Sequence, residues 1–287
     1  MIDEAEAIRI IRHGIDSGIN YIDTAYPYHG RRSEIVTGMA LKDGYRERVM
    51  LATKLPTWLV KERSDCDAFL EEQLEKLDVR HLDVYLVHAL NSERWENMKR
   101  IDIAGFLNKA KADGRIKFAG FSFHDTPELF KEILDSYNWD MCQLQYNYME
   151  ATAWTEAVQY AHRKGVAVVV MEPLLGGKLA NNLPDKALAI FEEEAPGRTA
   201  ASWAFQWLYN KPQISVVLSG MSNMSQVTEN LRIASHHGFA NALTETEMEA
   251  YEKVKKTIDE MTKVKCTACE YCMPCPSGVN IPEVFSV

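Results

Sequence analysis

Val166-Ala167-Val168-Val169-Val170-Met171 is apolar at every position and has the length of a strand, not of a helix. A strand without polar alternation is buried on both faces, as happens in parallel sheets covered by helices on each side. Amphipathic stretches of helical length flank it, Trp154 to Lys164 before and Thr199 to Tyr209 after. Further out the alternation continues, with helices predicted over Glu4 to Ser17, Ser33 to Leu41, Asp65 to Leu77, Trp95 to Asp113, Pro127 to Ser136 and Ser225 to Ser235. Strands are predicted at Tyr21 to Asp23, Val49 to Lys54, Leu82 to His88, Phe118 to Phe121, Met141 to Gln145 and Ser215 to Leu218. Eight helices separated by seven strands, starting on a helix, fit an α/β (β/α)8 TIM barrel that lacks its first strand. The two edges left unpaired would be sticky, so this end of the chain reads as a fragment.

Composition narrows the function. The 287 residues carry 32 Lys and Arg against 41 Asp and Glu, a net charge of −9, with no dense basic stretch to attract a phosphate backbone. Nucleic acid is therefore not expected as a partner. The longest apolar run is the six residues quoted above, far short of a membrane span, and the N-terminus Met1-Ile2-Asp3-Glu4 has no basic or apolar signal, so a cytoplasmic location is expected. No two glycines are separated by a single residue, which excludes GxGxxG, and no P-loop, GxSxG or HExxH occurs.

In a parallel barrel the chemistry sits where strands end. The first three predicted strands end at Asp23, followed by Tyr28, at Lys54 and at His88, which brings an acid, a phenol, an ammonium and an imidazole to one rim. Such a set suits carbonyl reduction, in which oxygen gains negative charge and needs a proton and a hydrogen bond. Tyr28 supplies the proton. A phenol ionises near pH 10, and a neighbouring ammonium such as Lys54 favours the ionised form. Asp23 holds Lys54, His88 polarises the carbonyl, and the hydride comes from a cofactor.

These residues resemble the aldo-keto reductase family. Asp23-Thr24-Ala25, Tyr28 and Ser33-Glu34 are similar to its DTAxxY...SE signature, Thr53-Lys54 to its second motif, and Asp83-Val84-Tyr85-Leu86-Val87-His88 to the strand ending in its active-site histidine. The resemblance runs from residue 3 to about 235 and implies an NADP or NAD cofactor. It places Ser122 and Gln143 on the nicotinamide carboxamide and Met171 against the ring, where many members have tyrosine. Gly176 and Gly177 would lie in the loop over the pyrophosphate, and Glu229 and Asn230 at the adenine. Gly220 and Gln226 stand where NADP-dependent members carry lysine and arginine, so NADP versus NAD stays open.

Cys266-Thr267-Ala268-Cys269-Glu270-Tyr271-Cys272-Met273-Pro274-Cys275-Pro276 puts four thiols within ten residues. The spacing is one residue short of the ferredoxin run and suits a 4Fe-4S cluster better than structural zinc, the alternative ligand, or unligated thiols. With the Gly278-Val279-Asn280-Ile281-Pro282 that follows, it resembles the ferredoxin-type, iron-sulfur subgroup of aldo-keto reductases. The expected organisation is a reductase-like barrel over residues 1–243 and a C-terminal helix with a partial ferredoxin-like iron-sulfur segment over 244–287. The expected function is hydride transfer between a nicotinamide and a small-molecule carbonyl or alcohol, with electron transfer to a redox partner through the cluster. The alternative is a non-catalytic electron-transfer or regulatory protein that keeps the barrel as a cofactor scaffold.

Overall fold

The computed structural model describes residues 3–262, 273–281 and 284. Seven strands, β1 (Tyr21–Asp23), β2 (Met50–Leu55), β3 (Leu82–Leu90), β4 (Ile116–Phe123), β5 (Met141–Gln145), β6 (Ala167–Met171) and β7 (Ile214–Val217), form one sheet in sequence order. All adjacent pairs are parallel. The helices before β3 are α1 (Glu4–Asp16), the single turn α2 (Tyr28–Arg31), α3 (Ser33–Ala40) and α4 (Arg63–Leu77). Then come α5 (Ser92–Arg100), α6 (Ile103–Ala112), α7 (Pro127–Ser136), α8 (Ala151–Arg163), α9 (Lys178–Asn181), α10 (Asp185–Glu194), α11 (Ala200–Tyr209), α12 (Met224–His237) and α13 (Glu245–Met261). None of the described helices is long and apolar enough to cross a membrane.

The sheet curls into a nearly closed TIM-like barrel. Its lumen is filled by Ala52, Val84, Leu86, Met141 and Val169, with Tyr21, Ala167, Val216 and Leu218 packed against them, so strands from both ends of the sheet meet in one cluster. The Tyr21 hydroxyl reaches across from β1 to the Met141 sulfur on β5, 3.8 Å away. A larger apolar shell between strands and helices includes Leu51, Val87, Phe121, Leu144 and Val170. No described strand pairs with the outer edge of β1 or of β7, whose residues are only partly buried, and α1 packs beside α12 across that seam.

Two features differ from the sequence reading. The stretch Trp95 to Asp113 is two helices, because Asp102 adopts a left-handed φ of 56° and its carboxylate accepts from the Gly105 N–H to start α6. A Cβ at Gly105 would stand 2.2 Å from Asp102 Oδ2, so a larger residue there would displace this capping carboxylate. Helix α10 was not foreseen either, so eight helices is too few. It packs on α13, which also docks on the barrel through Tyr251, whose hydroxyl donates to the Trp203 carbonyl at 2.7 Å. Arg198 lies 4.4 Å over the Trp203 ring and pairs with Glu247 at 2.6 Å.

Candidate active site

The parallel register sets Asp23 beside Ala52 and Lys54 beside Leu86, so the ends of β1, β2 and β3 lie together. Beyond β1 the chain turns through Tyr28, whose N–H donates to the Ala25 carbonyl, and through His29 and Gly30 in left-handed conformations. This turn folds the Tyr28 side chain back over the strand ends.

Lys54 is fully buried. Its Nζ donates to Asp23 Oδ1 at 2.6 Å, to the Thr24 carbonyl at 2.9 Å and to the Tyr28 hydroxyl at 3.3 Å. A buried ammonium is costly unless its donors are satisfied, and here three acceptors meet its three protons. Asp23 Oδ2 has no partner among the described residues; burial pushes the carboxyl upward, and Lys54 opposes that shift. Because Lys54 donates to the phenol oxygen, the Tyr28 proton is directed elsewhere. Tyr28 itself is 37% exposed and reaches the surface of the cleft.

His88 faces the same space. Its ring lies edge-on to Tyr28 with centroids 6.2 Å apart, and the Trp58 ring is 5.2 Å away on another side. Burial, then the charges of Lys54, His124 and Arg94, push the imidazole down to about 3, so it is neutral around pH 7. Its Nδ1 is buried without a partner among the described residues. Next to it β3 bulges between Val87 and Leu90, with Ala89 at a left-handed φ of 51°. The Ala89 N–H donates to Ser122 Oγ at 2.7 Å, and its carbonyl accepts from Arg94 Nη1 at 2.8 Å.

Ser122 and Gln143 are register partners on β4 and β5, and Gln143 Nε2 donates to the Met171 sulfur at 3.7 Å. Gln143 Oε1 is buried with no donor among the described residues. These three residues therefore form one patch, joined to His88 through Ala89. In the loop after β6, Gly176 and Gly177 take φ of 64° and 91°, and the Gly176 N–H donates to Glu172 Oε2. Around β7 and α12, Asn230 donates to Ser219 Oγ, Glu229 accepts from Thr199, and Gln226 Oε1 accepts from the Ser222 N–H and hydroxyl. A Cβ at Gly220 would meet nothing within 4 Å. Cys266, Cys269 and Cys272 lie outside the described residues; Cys275 is half-buried, and no group of three or more potential metal ligands occurs among the described residues.

A buried network behind Lys54 escaped the sequence reading. Gln73 Nε2 donates to Glu34 Oε1 at 2.6 Å, to Thr53 Oγ1 and to the Lys54 carbonyl, while the Tyr85 hydroxyl donates to Gln73 Oε1 at 2.7 Å. It ties α3, α4 and β3 to the end of β2. Gln73 carries no signal beyond its place on the apolar face of α4. Trp58 and Arg94 were missed too, although each lies a few residues beyond a strand end.

The family model described as Aldo/keto reductase family matches residues 1–256. An L-galactose dehydrogenase of Arabidopsis thaliana is 25% identical over 287 residues, covering 92% of this chain and 85% of that protein. An NADH-specific methylglyoxal reductase of Escherichia coli is 24% identical over 278 residues, covering 80% and 83%. Among solved structures, the holo form of an aldo-keto reductase from Bacillus halodurans superposes with a TM-score of 0.73 at 25% identity, covering 88% of each chain.

Proposed function

This chain belongs to the aldo/keto reductase family, and from that premise we propose that it reduces a small-molecule carbonyl with a nicotinamide dinucleotide held along the ends of β4, β5 and β6. The observation that carries the reading is the set of bonds from Lys54 to Asp23 and to the Tyr28 hydroxyl beside a neutral His88. The orphaned Gln143 Oε1 fits the cofactor, since a carboxamide NH2 supplies the donor it lacks, and Ser122 Oγ stands beside it in register. Met171 offers a soft apolar face to the ring, and the left-handed Gly176 and Gly177 let backbone approach a pyrophosphate. Glu229 and Asn230 would take the adenine end. When bound, the reduced dinucleotide supplies the hydride.

The rest is the work of this chain's side chains. A carbonyl oxygen between the Tyr28 hydroxyl and His88 receives hydrogen bonds from both. As negative charge grows on it, Tyr28 gives its proton and Lys54, 3.3 Å away, stabilises the phenolate left behind. Asp23 keeps the ammonium oriented. The test is transfer of deuterium from the 4-deuterated reduced cofactor to an aldehyde. Label at the carbinol carbon is expected, and an unlabelled alcohol would contradict hydride transfer.

We further propose that Cys266, Cys269, Cys272 and Cys275 hold a 4Fe-4S cluster as in the ferredoxin-type subgroup, exchanging electrons with a redox partner protein. Four thiols at two-residue spacing are the donor set such a cluster uses. Protein purified anaerobically should show a broad visible absorbance that bleaches on reduction. A colourless protein containing zinc would favour the structural-metal reading.

A further inference from the structure

Arg94 lies near the start of α5, where Nη1 donates to the Ala89 carbonyl, one residue from His88. Its guanidinium is 5.5 Å over the ring of Trp58, the same ring that lies 5.2 Å from the His88 imidazole. Partly buried arginines elsewhere have carboxylate partners: Arg12 with Asp43, Arg46 with Asp83, Arg115 with Asp67 and Arg198 with Glu247. Arg94 is partly buried too, yet no carboxylate lies within ion-pair distance of it among the described residues. The nearby acids are engaged elsewhere. Asp125 accepts from the Ser92 and Thr126 N–H groups, and Glu172 from Gly176. The ammonium of Lys54 is matched by Asp23, so at the ends of β1 to β3 Arg94 is a positive charge left without a counter-ion among the described residues.

A half-buried cation without a counter-ion at the mouth of a site is stabilised by an anion that arrives with the ligand. We propose that Arg94 anchors an anionic group of the substrate, so that the protein takes carbonyl compounds that also carry a carboxylate; this rests on the reductase reading above. Trp58 forms the wall between anchor and reaction centre, and its ring covers the apolar spacer of the substrate. Only one of the five guanidinium N–H groups is committed to Ala89, which leaves the fork to meet a carboxylate.

The experiment compares 4-oxobutanoate and 6-oxohexanoate with butanal and hexanal in the parent, Arg94→Gln and Arg94→Lys. A charge-assisted hydrogen bond of this kind is worth about tenfold to a hundredfold. The parent is expected to favour at least one oxo acid over its neutral partner by that factor in kcat/KM. R94Q should erase the preference through KM, the loss for the oxo acids exceeding any loss for the neutral aldehydes by that factor, while R94K keeps part of the preference. No preference in the parent overturns the proposal. An equal loss for acids and neutral aldehydes in R94Q also overturns it, because Arg94 would then only brace the bulge at Ala89. If no aldehyde is reduced, the reductase reading fails, and the anchor is judged by calorimetric binding of 4-hydroxybutanoate and 6-hydroxyhexanoate. Binding lost in R94Q supports the anchor, and binding that is absent or unaffected contradicts it.

Discussion

His88 carries no charge where the enzyme works, because burial and the cations around it hold the imidazole at about 3. A neutral ring still donates one hydrogen bond, so the bond proposed from it to the carbonyl does not depend on pH above about 4. Between pH 6.5 and 3 the unfolded chain binds a proton at this histidine that the folded protein does not, so stability falls as pH falls through that window. His88→Gln keeps a neutral donor. It should lower kcat without changing the shape of the pH–rate profile, and it should lose less thermal stability between pH 6.5 and 4 than the parent does. A limb near pH 6.5 present in the parent and absent from the variant would contradict the neutral assignment. At this scale the sequence was informative where a polar residue type falls near a strand end: Asp23 closes β1, while Lys54 and His88 lie one and two residues before the ends of β2 and β3. It was silent on Gln73, whose partners Glu34 and Lys54 are far away in the chain, and on Arg94, whose place is set by the bulge at Ala89 and by the distant Trp58.

The elements show the same division. Strands such as Ala167–Met171 are legible because burial on both faces removes every polar residue. The break at Asp102 was not, since Ile101-Asp102-Ile103-Ala104-Gly105 keeps helical periodicity and only the left-handed cap betrays the turn. In the cofactor placement proposed above, the segment from β7 into α12 is the one that meets the ribose. Gln226 is turned back onto Ser222, and Gly220 offers no side chain, so neither presents a positive charge to a ribose 2′-phosphate. The parent should discriminate weakly between NADPH and NADH. Open space at Gly220 accommodates a longer side chain, and G220K with Q226R should tighten the Kd for NADPH by about tenfold or more while leaving NADH nearly unchanged. A parent that already binds NADPH a hundredfold tighter would show that another group reads the phosphate.

In the molecule as a whole, seven strands close around a shared lumen except between β1 and β7, where backbone edges have no strand partner among the described residues. Asp23 lies on one of those edges, so the site shares its wall with the seam. Fusing an apolar strand segment of about 30 residues ahead of α1 should raise Tm by about 5 °C or more and reduce aggregation. Equally high, sharp transitions with and without it would mean that α1 against α12 already seals the gap. The order of strands and helices made the barrel legible, since pattern alone dictates which strand follows which. Packing of α10 and α13 on the barrel was not, because it rests on Phe191, Trp203 and Tyr251 meeting in space. All of this architecture converges on one phenol held by one buried ammonium. The most direct measurement is therefore Tyr28→Phe, with nucleotide Kd and aldehyde turnover determined on the same preparation. The Kd should stay within about twofold, and turnover should fall by about 10²-fold or more. Turnover equal to that of the parent would contradict Tyr28 as the proton donor.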